Sequence, residues 1–210
     1  PGGGGFPVSP PWQVPLGSLA LRLDPLSALF LVPILAVPAL GSVYGLSYFP
    51  QARLGARAVR LQLHYGLVTG SMALVALADN AMLFLAAWEV MAVAGFLLVL
   101  TDHEKKECQR AAFVYLAASH VGTFALFAFF CVVGSQRGSF DFASWNGLPA
   151  GGKAGWLYAL LLAGFGLKAG LMPLHFWLPG AHAAAPSHVS ALLSGVLLKT
   201  GIYGLLRTTG

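Results

Sequence analysis

The chain has 210 residues, of which 57% are hydrophobic and only 9% charged, with a net charge of +5. Soluble domains carry about 25% charged residues, so a soluble globular fold is excluded, and the high hydrophobicity excludes intrinsic disorder. The mean hydropathy of +0.75, with 26 glycines and a pI near 9.5, points to a polytopic membrane protein whose basic residues record topology rather than nucleic-acid binding.

The chain opens on PGGGGFPVSPPWQVP, a Gly/Pro-rich run that cannot pack a core. It lacks the basic and apolar regions of a signal peptide, so residues 1–25 are expected to lie outside the membrane. Apolar runs come next at about 26–49, 61–78, 81–100, 111–133, 156–182 and 187–206. A span needs about 20 apolar residues, and in lipid every backbone polar group must be satisfied within the segment. The expected fold is therefore all-α, a bundle of six transmembrane helices over residues 26–210. The start at Pro1 and the end at Gly210, directly after a span, read as a piece of a longer chain. Cys108 in a loop and Cys131 within a span imply neither a disulfide framework nor a metal site.

Loops 50–60 and 101–110 hold Arg53, Arg57, Arg60, Lys105, Lys106 and Arg110, whereas the opposite side holds Arg22, Arg137 and Lys153. The first side is expected to be cytoplasmic. The fifth run is irregular: Pro173 cannot donate a hydrogen bond to Ala169 and crowds its carbonyl, so the helix is expected to break near 173. Gly164, Gly166 and Gly170 loosen the same stretch, and Pro179 and Pro186 close a short second half. Broken helices in transporters commonly lie at the ion or substrate site.

Of the nineteen charged residues, sixteen lie in loops or at span ends. Glu89, Lys168 and Lys199 lie near the midplane. A midplane charge facing lipid costs about 2.5–3.5 kcal/mol on an insertion scale, so these three are the candidate proton-translocating residues. The structural alternative is that a lysine snorkels or locks two helices through an ion pair. The expected partner of Glu89 is a lysine, reached across the small residues Ala86 and Ala92. His120, His175, His182 and His188 form a candidate relay, since histidine exchanges protons near neutral pH. His188 and Lys199 are eleven residues apart and would share a helix face with Leu192 and Gly195. A bis-histidine haem site fails because His64 and His120 differ in depth, and a serine protease fails because Ser194 and His120 lack the remaining constellation. No cofactor-binding or metal-ligating spacing is present.

The stretch GFGLKAGLMPLHFWLPGAHAAAPSHVSALLSGVLLKTGIYGLLR, residues 164–207, closely resembles the antiporter-like proton-translocating subunits. These occur in respiratory complex I, multisubunit Na+/H+ antiporters and membrane-bound hydrogenases. LDPLSALF at 23–30, AAWEVM at 86–91 and HEKKECQRAAFVYLAASHVGT at 103–123 support the resemblance, whose wording is nearest the B-subunit branch of hydrogenase-4. It implies that Glu89 matches the family's helix-five glutamate, Lys168 the lysine of its broken helix seven, and Lys199 the basic residue of helix eight. It further implies a bacterial or archaeal cell membrane, one of two inverted repeats, and other membrane and peripheral subunits of a redox complex as partners. The function implied is proton translocation coupled to electron transfer in those partners. A component of a multisubunit Na+/H+ antiporter and a purely structural membrane anchor are the alternatives.

Overall fold

The computed structural model describes residues 6–8, 13–14, 17–48, 55–145 and 154–209. Most of the Gly/Pro-rich start, Arg53 and Lys153 lie outside these. The helices are α1 (Pro25–Tyr48), α2 (Ala56–Leu77), α3 (Ala81–Val99), α4 (Lys106–Arg137), α5 (Ala154–Ala169) and α6 (Leu178–Ala184). The last, α7 (Ser187–Thr209), carries a π turn at Leu193–Leu197. Before α1, the strand Phe6–Val8 pairs antiparallel with Leu21–Leu23, and Gln13–Val14 pairs with Gly17–Ser18. These short pairings are an addition to an otherwise helical fold.

By length and composition α1, α3, α4 and α7 can each cross a membrane. At about 1.5 Å per residue, the 16 residues of α5 reach only about 24 Å, so α5 needs the segment beyond it to complete a crossing. α2 is 22 residues long but carries Arg57, Arg60, Gln62 and His64 near its start. Neighbours in sequence pack in order, α2 on α3, α3 on α4 and α4 on α5; α1 packs on α2 and on the start of α7, and α5 on its end. Phe84 and Trp88 of α3, Phe129 and Phe130 of α4, Phe142 beyond α4 and Phe165 of α5 fill the middle, all of them buried. Phe84 is edge-on to Phe130, Phe142 and Phe165 at 5.8–5.9 Å. Outward, Leu29, Val32, Leu40, Leu63, Phe124 and Phe127 are exposed, an apolar surface suited to lipid or to protein neighbours.

The end opposite the basic loops is knitted by polar groups. Asn80 caps α3, its side chain accepting from the Met82 and Leu83 amides and donating to Asp141 at 2.8 Å, as capping requires of an orphan first turn. Arg22 pairs with Asp79 at 2.8 Å. Arg207, near the end of α7, pairs with Asp79 at 3.2 Å and with Asp24, and the Ser27 amide donates to Asp24 at 2.8 Å. One arginine thereby ties the start of α1, the α2–α3 turn and the end of α7.

Candidate functional site

Helix α5 stops at Ala169, four residues before Pro173. Gly170 adopts φ 69°, a left-handed conformation open to glycine at little cost, and the Leu171 amide returns to the Gly166 carbonyl at 3.0 Å. This is a Schellman ending, with Pro173 inside the interruption rather than at its start. Residues 170–177 run as turns until α6 begins at Leu178. The indole of Trp177 donates to the Leu167 carbonyl at 2.8 Å, which caps the freed backbone from the far side of the break.

Lys168 lies in the last turn of α5 and is only 3% exposed. Its ammonium donates to the Tyr115 hydroxyl of α4 at 3.0 Å and lies over the rings of Tyr115 and Trp88, 5.1 and 5.7 Å from their centroids. Tyr115 is in turn edge-on to Trp177 at 5.1 Å. The buried ammonium is thus held by π faces and one hydroxyl.

Glu89 does not join it. Its Oε2 lies 3.8 Å from Nε2 of His120 on α4, with the two side chains 37% and 41% exposed. Among the described residues Lys168 forms no ion pair, so the expected Glu89–lysine pair is replaced by Glu89–His120. The reason is phase: Trp88 faces Lys168, and the next residue on a helix points about 100° away. Glu89 and His120 instead line an outward cavity of about 340 Å³ with Thr123, Phe124 and Phe127.

Lys199 and His188 do not share a face either. A π turn adds about one residue to a helical turn and rotates the residues beyond it by about 100° relative to an uninterrupted helix. Lys199 is consequently exposed and donates to the Ser194 carbonyl at 2.7 Å, while His188 is buried at 6%. The face of Lys199 carries Ser194, whose hydroxyl donates to the Ser190 carbonyl at 3.0 Å, and Ser190, whose hydroxyl meets Nδ1 of His182 at 2.7 Å. His182 of α6, rather than His188, is thus aligned with Lys199. His175 lies within the interruption, its carbonyl accepting from Leu178 at 2.9 Å. Among the described residues no three His, Cys, Asp or Glu converge as metal ligands.

The family described as NADH:quinone oxidoreductase/Mrp antiporter, transmembrane, matches residues 78–210, the stretch that holds Glu89, Tyr115, Lys168 and Lys199. The chain belongs to this family. It is an antiporter-like membrane subunit of the type found in hydrogenase, complex I and Mrp-type assemblies. Hydrogenase-4 component B of Escherichia coli (strain K12) is 37% identical over 95% of this chain and 29% of its own length. The A/B subunit of a probable K(+)/H(+) antiporter of Rhizobium meliloti (strain 1021) is 31% identical over 93% of this chain and 20% of its own. A chain in the structure of the membrane-bound sulfane sulfur reductase, an archaeal respiratory membrane complex, superposes with a TM-score of 0.77 at 28% identity, over 96% of this antiporter-like chain and 32% of that one. The chain thus spans under a third of the length of these relatives.

Sequence reasoning missed Trp88 and Tyr115 as partners of Lys168, Trp177 as the donor that caps the end of α5, and Ser190 as the partner of His182. Tyr115 stands in FVYLAASH and Trp177 in HFWLPG, but which side chain meets Lys168 depends on the pairing of α3, α4 and α5, not on spacing along any one of them.

Proposed function

We propose that this chain is part of a proton-translocating subunit of a redox-driven membrane complex, with Lys168 as its central proton carrier. The observation that carries the reading is a lysine withdrawn from solvent at a helix interruption, held by the Tyr115 hydroxyl and without a counter-charge among the described residues. Glu89 with His120 forms a second station toward the outer face, and His182, Ser190 and Lys199 a third along α7. Burial disfavours a charged ammonium and a carboxylate that approaches favours it, so movement of a carboxylate relative to Lys168 loads or releases a proton. Driving one proton against 100 mV requires about 2.3 kcal/mol, within reach of one buried polar contact rearranging. The electron transfer that drives this belongs to partner subunits. The basic loops mark the cytoplasmic side.

The test is proton movement in sealed vesicles containing the assembled complex. Lys168→Met abolishes it while assembly persists, and Glu89→Gln reduces it strongly. Normal pumping by both variants sinks the proposal; loss of assembly in both favours a structural anchor. The K(+)/H(+) antiporter relative supports a second reading, in which cation–proton exchange proceeds without redox turnover. Proton movement that responds to added Na+ or K+ in the absence of an electron donor selects that reading.

A further inference from the structure

Glycine gives up more backbone freedom in a helix than alanine and adds no side-chain contact, so a glycine buried within a span needs a reason. Gly95 of α3 is buried and lies two turns beyond Trp88, on the same face. A Cβ there would collide with the hydroxyl of Tyr115 on α4 and would stand 3.1 and 3.4 Å from its Cζ and Cε1. The three nearest atoms all belong to this one side chain. Gly122 of α4 and Gly164 of α5 are different: each has the other's carbonyl close to where its Cβ would stand, at 3.1 and 3.0 Å. Those two let helix backbones approach, the ordinary use of small residues between membrane helices. At Gly95 the missing side chain makes room for a hydroxyl instead.

Tyr115 has little freedom to take another position. It is fully buried, and its ring stands edge-on to Trp177 at 5.1 Å between centroids. Trp177 is buried too, and its indole is fixed by the bond to the Leu167 carbonyl at 2.8 Å. A tyrosine side chain turns about two bonds only, so its hydroxyl moves when the whole ring tilts. Tilting away from α3 would carry the oxygen off the Lys168 ammonium, which donates to it at 3.0 Å.

We propose that Gly95 is a positioning residue for proton translocation: having no side chain, it admits the Tyr115 hydroxyl against α3 and so sets a hydrogen-bond acceptor on Lys168. A methyl group at position 95 then acts as Tyr115→Phe does, although it alters neither partner of the bond. The inference rests on the role proposed above for Lys168 as proton carrier.

The test measures proton movement in sealed vesicles holding the full complex, and thermal unfolding of the same preparations. Gly95→Ala should slow proton movement by about tenfold, the effect of one lost charge-assisted hydrogen bond, and should lower the melting temperature. Adding Tyr115→Phe to Gly95→Ala removes the colliding oxygen. The double variant should pump no more slowly than Tyr115→Phe alone and should regain the melting temperature lost to Gly95→Ala, because changes acting through one contact do not add. Gly122→Ala is the control: its Cβ meets backbone, so Tyr115→Phe should not relieve it. An unchanged rate in Gly95→Ala overturns the proposal, as does a double variant slowed by the product of the single effects, about 100-fold. If Gly95→Ala fails to assemble, recovery of assembly on adding Tyr115→Phe supports the proposal and continued failure overturns it. Lys168→Met separates the two ideas. If it pumps normally, the translocation reading falls and takes the positioning role with it. If it blocks pumping while the effects at Gly95 and Tyr115 add, translocation stands and the positioning role alone falls.

Discussion

The charged end of the bundle and its interior handle buried charge in opposite ways. At the end opposite the basic loops, Arg22, Asp24, Asp79 and Arg207 form a chain in which every carboxylate meets a guanidinium. In the interior, Lys168 has a phenol and two ring faces but, among the described residues, no carboxylate. Buried ion pairs contribute little net stability because desolvation offsets their attraction, yet breaking one is severe. Matched charge therefore suits a junction that must hold three elements in place. An unmatched ammonium, held by a hydroxyl and ring faces alone, suits the proton-carrying role proposed for Lys168.

The contrast is broken most directly at Lys168. Lys168→Arg keeps the charge and the hydrogen-bonding capacity, but guanidinium does not deprotonate in proteins. The variant should lose proton movement by about 100-fold or more, the scale of a lost acid–base group, with assembly retained; pH-dye quenching in vesicles measures it. An active arginine variant would mean that Lys168 supplies only charge. Next is Arg207→Ala, which strands Asp24 and leaves Asp79 with Arg22 alone, and should cost about 3–5 kcal/mol. Thermal unfolding of the purified complex reads this, and proton movement per folded complex should be unchanged. A stable but inactive Arg207→Ala would put the end cluster into the transport chemistry and erase the distinction. Tyr115→Phe removes the acceptor of Lys168 and should slow proton movement by about tenfold, one charge-assisted hydrogen bond's worth, while leaving the end cluster's contribution to thermal stability alone.

The smallest effect is in acid. For Asp24, burial pushes the carboxyl up, but the Ser27 amide and Arg207 outweigh it and hold it below the ordinary 3.8. Its contribution to stability is complete above that value and is lost as pH falls through the lowered one. For Asp79, burial outweighs Arg22 and Arg207 and leaves the carboxyl raised. Its contribution is present below 3.8 and is lost as pH rises through the raised value. Asp24→Asn should therefore make the complex gain stability on mild acidification, and Asp79→Asn should remove that gain; melting temperatures across the acid range discriminate the two.

Much of this was legible along the chain because spans are written as long apolar runs. The interruption after α5 was also legible, since Gly170 permits a left-handed ending and Pro173 cannot continue a helix; the helix itself stops at Ala169. The orientation of Glu89 was not. Helix α3 is apolar nearly all round, so no polar stripe marks which side faces inward, and the position of Glu89 along the helix does not say which neighbour it meets. The pairing of Lys168 with Tyr115 requires the register of two helices whose partners stand 53 residues apart, which no local pattern states. The pairing of the four-residue end cluster is not written in any local pattern either, because Asp24 and Arg207 are separated by 183 positions.

The π turn at Leu193–Leu197 acts as a phase shifter. Lys199 stands among the serines because five residues occupy a stretch an ordinary helix would complete with about one fewer. Deleting a single residue there would swing the lysine toward the side of His188 without changing any side chain. The side of α7 on which Lys199 stands is thus encoded as a length rather than as an amino acid, and related chains that lack the extra residue would present it on another side while reading almost the same.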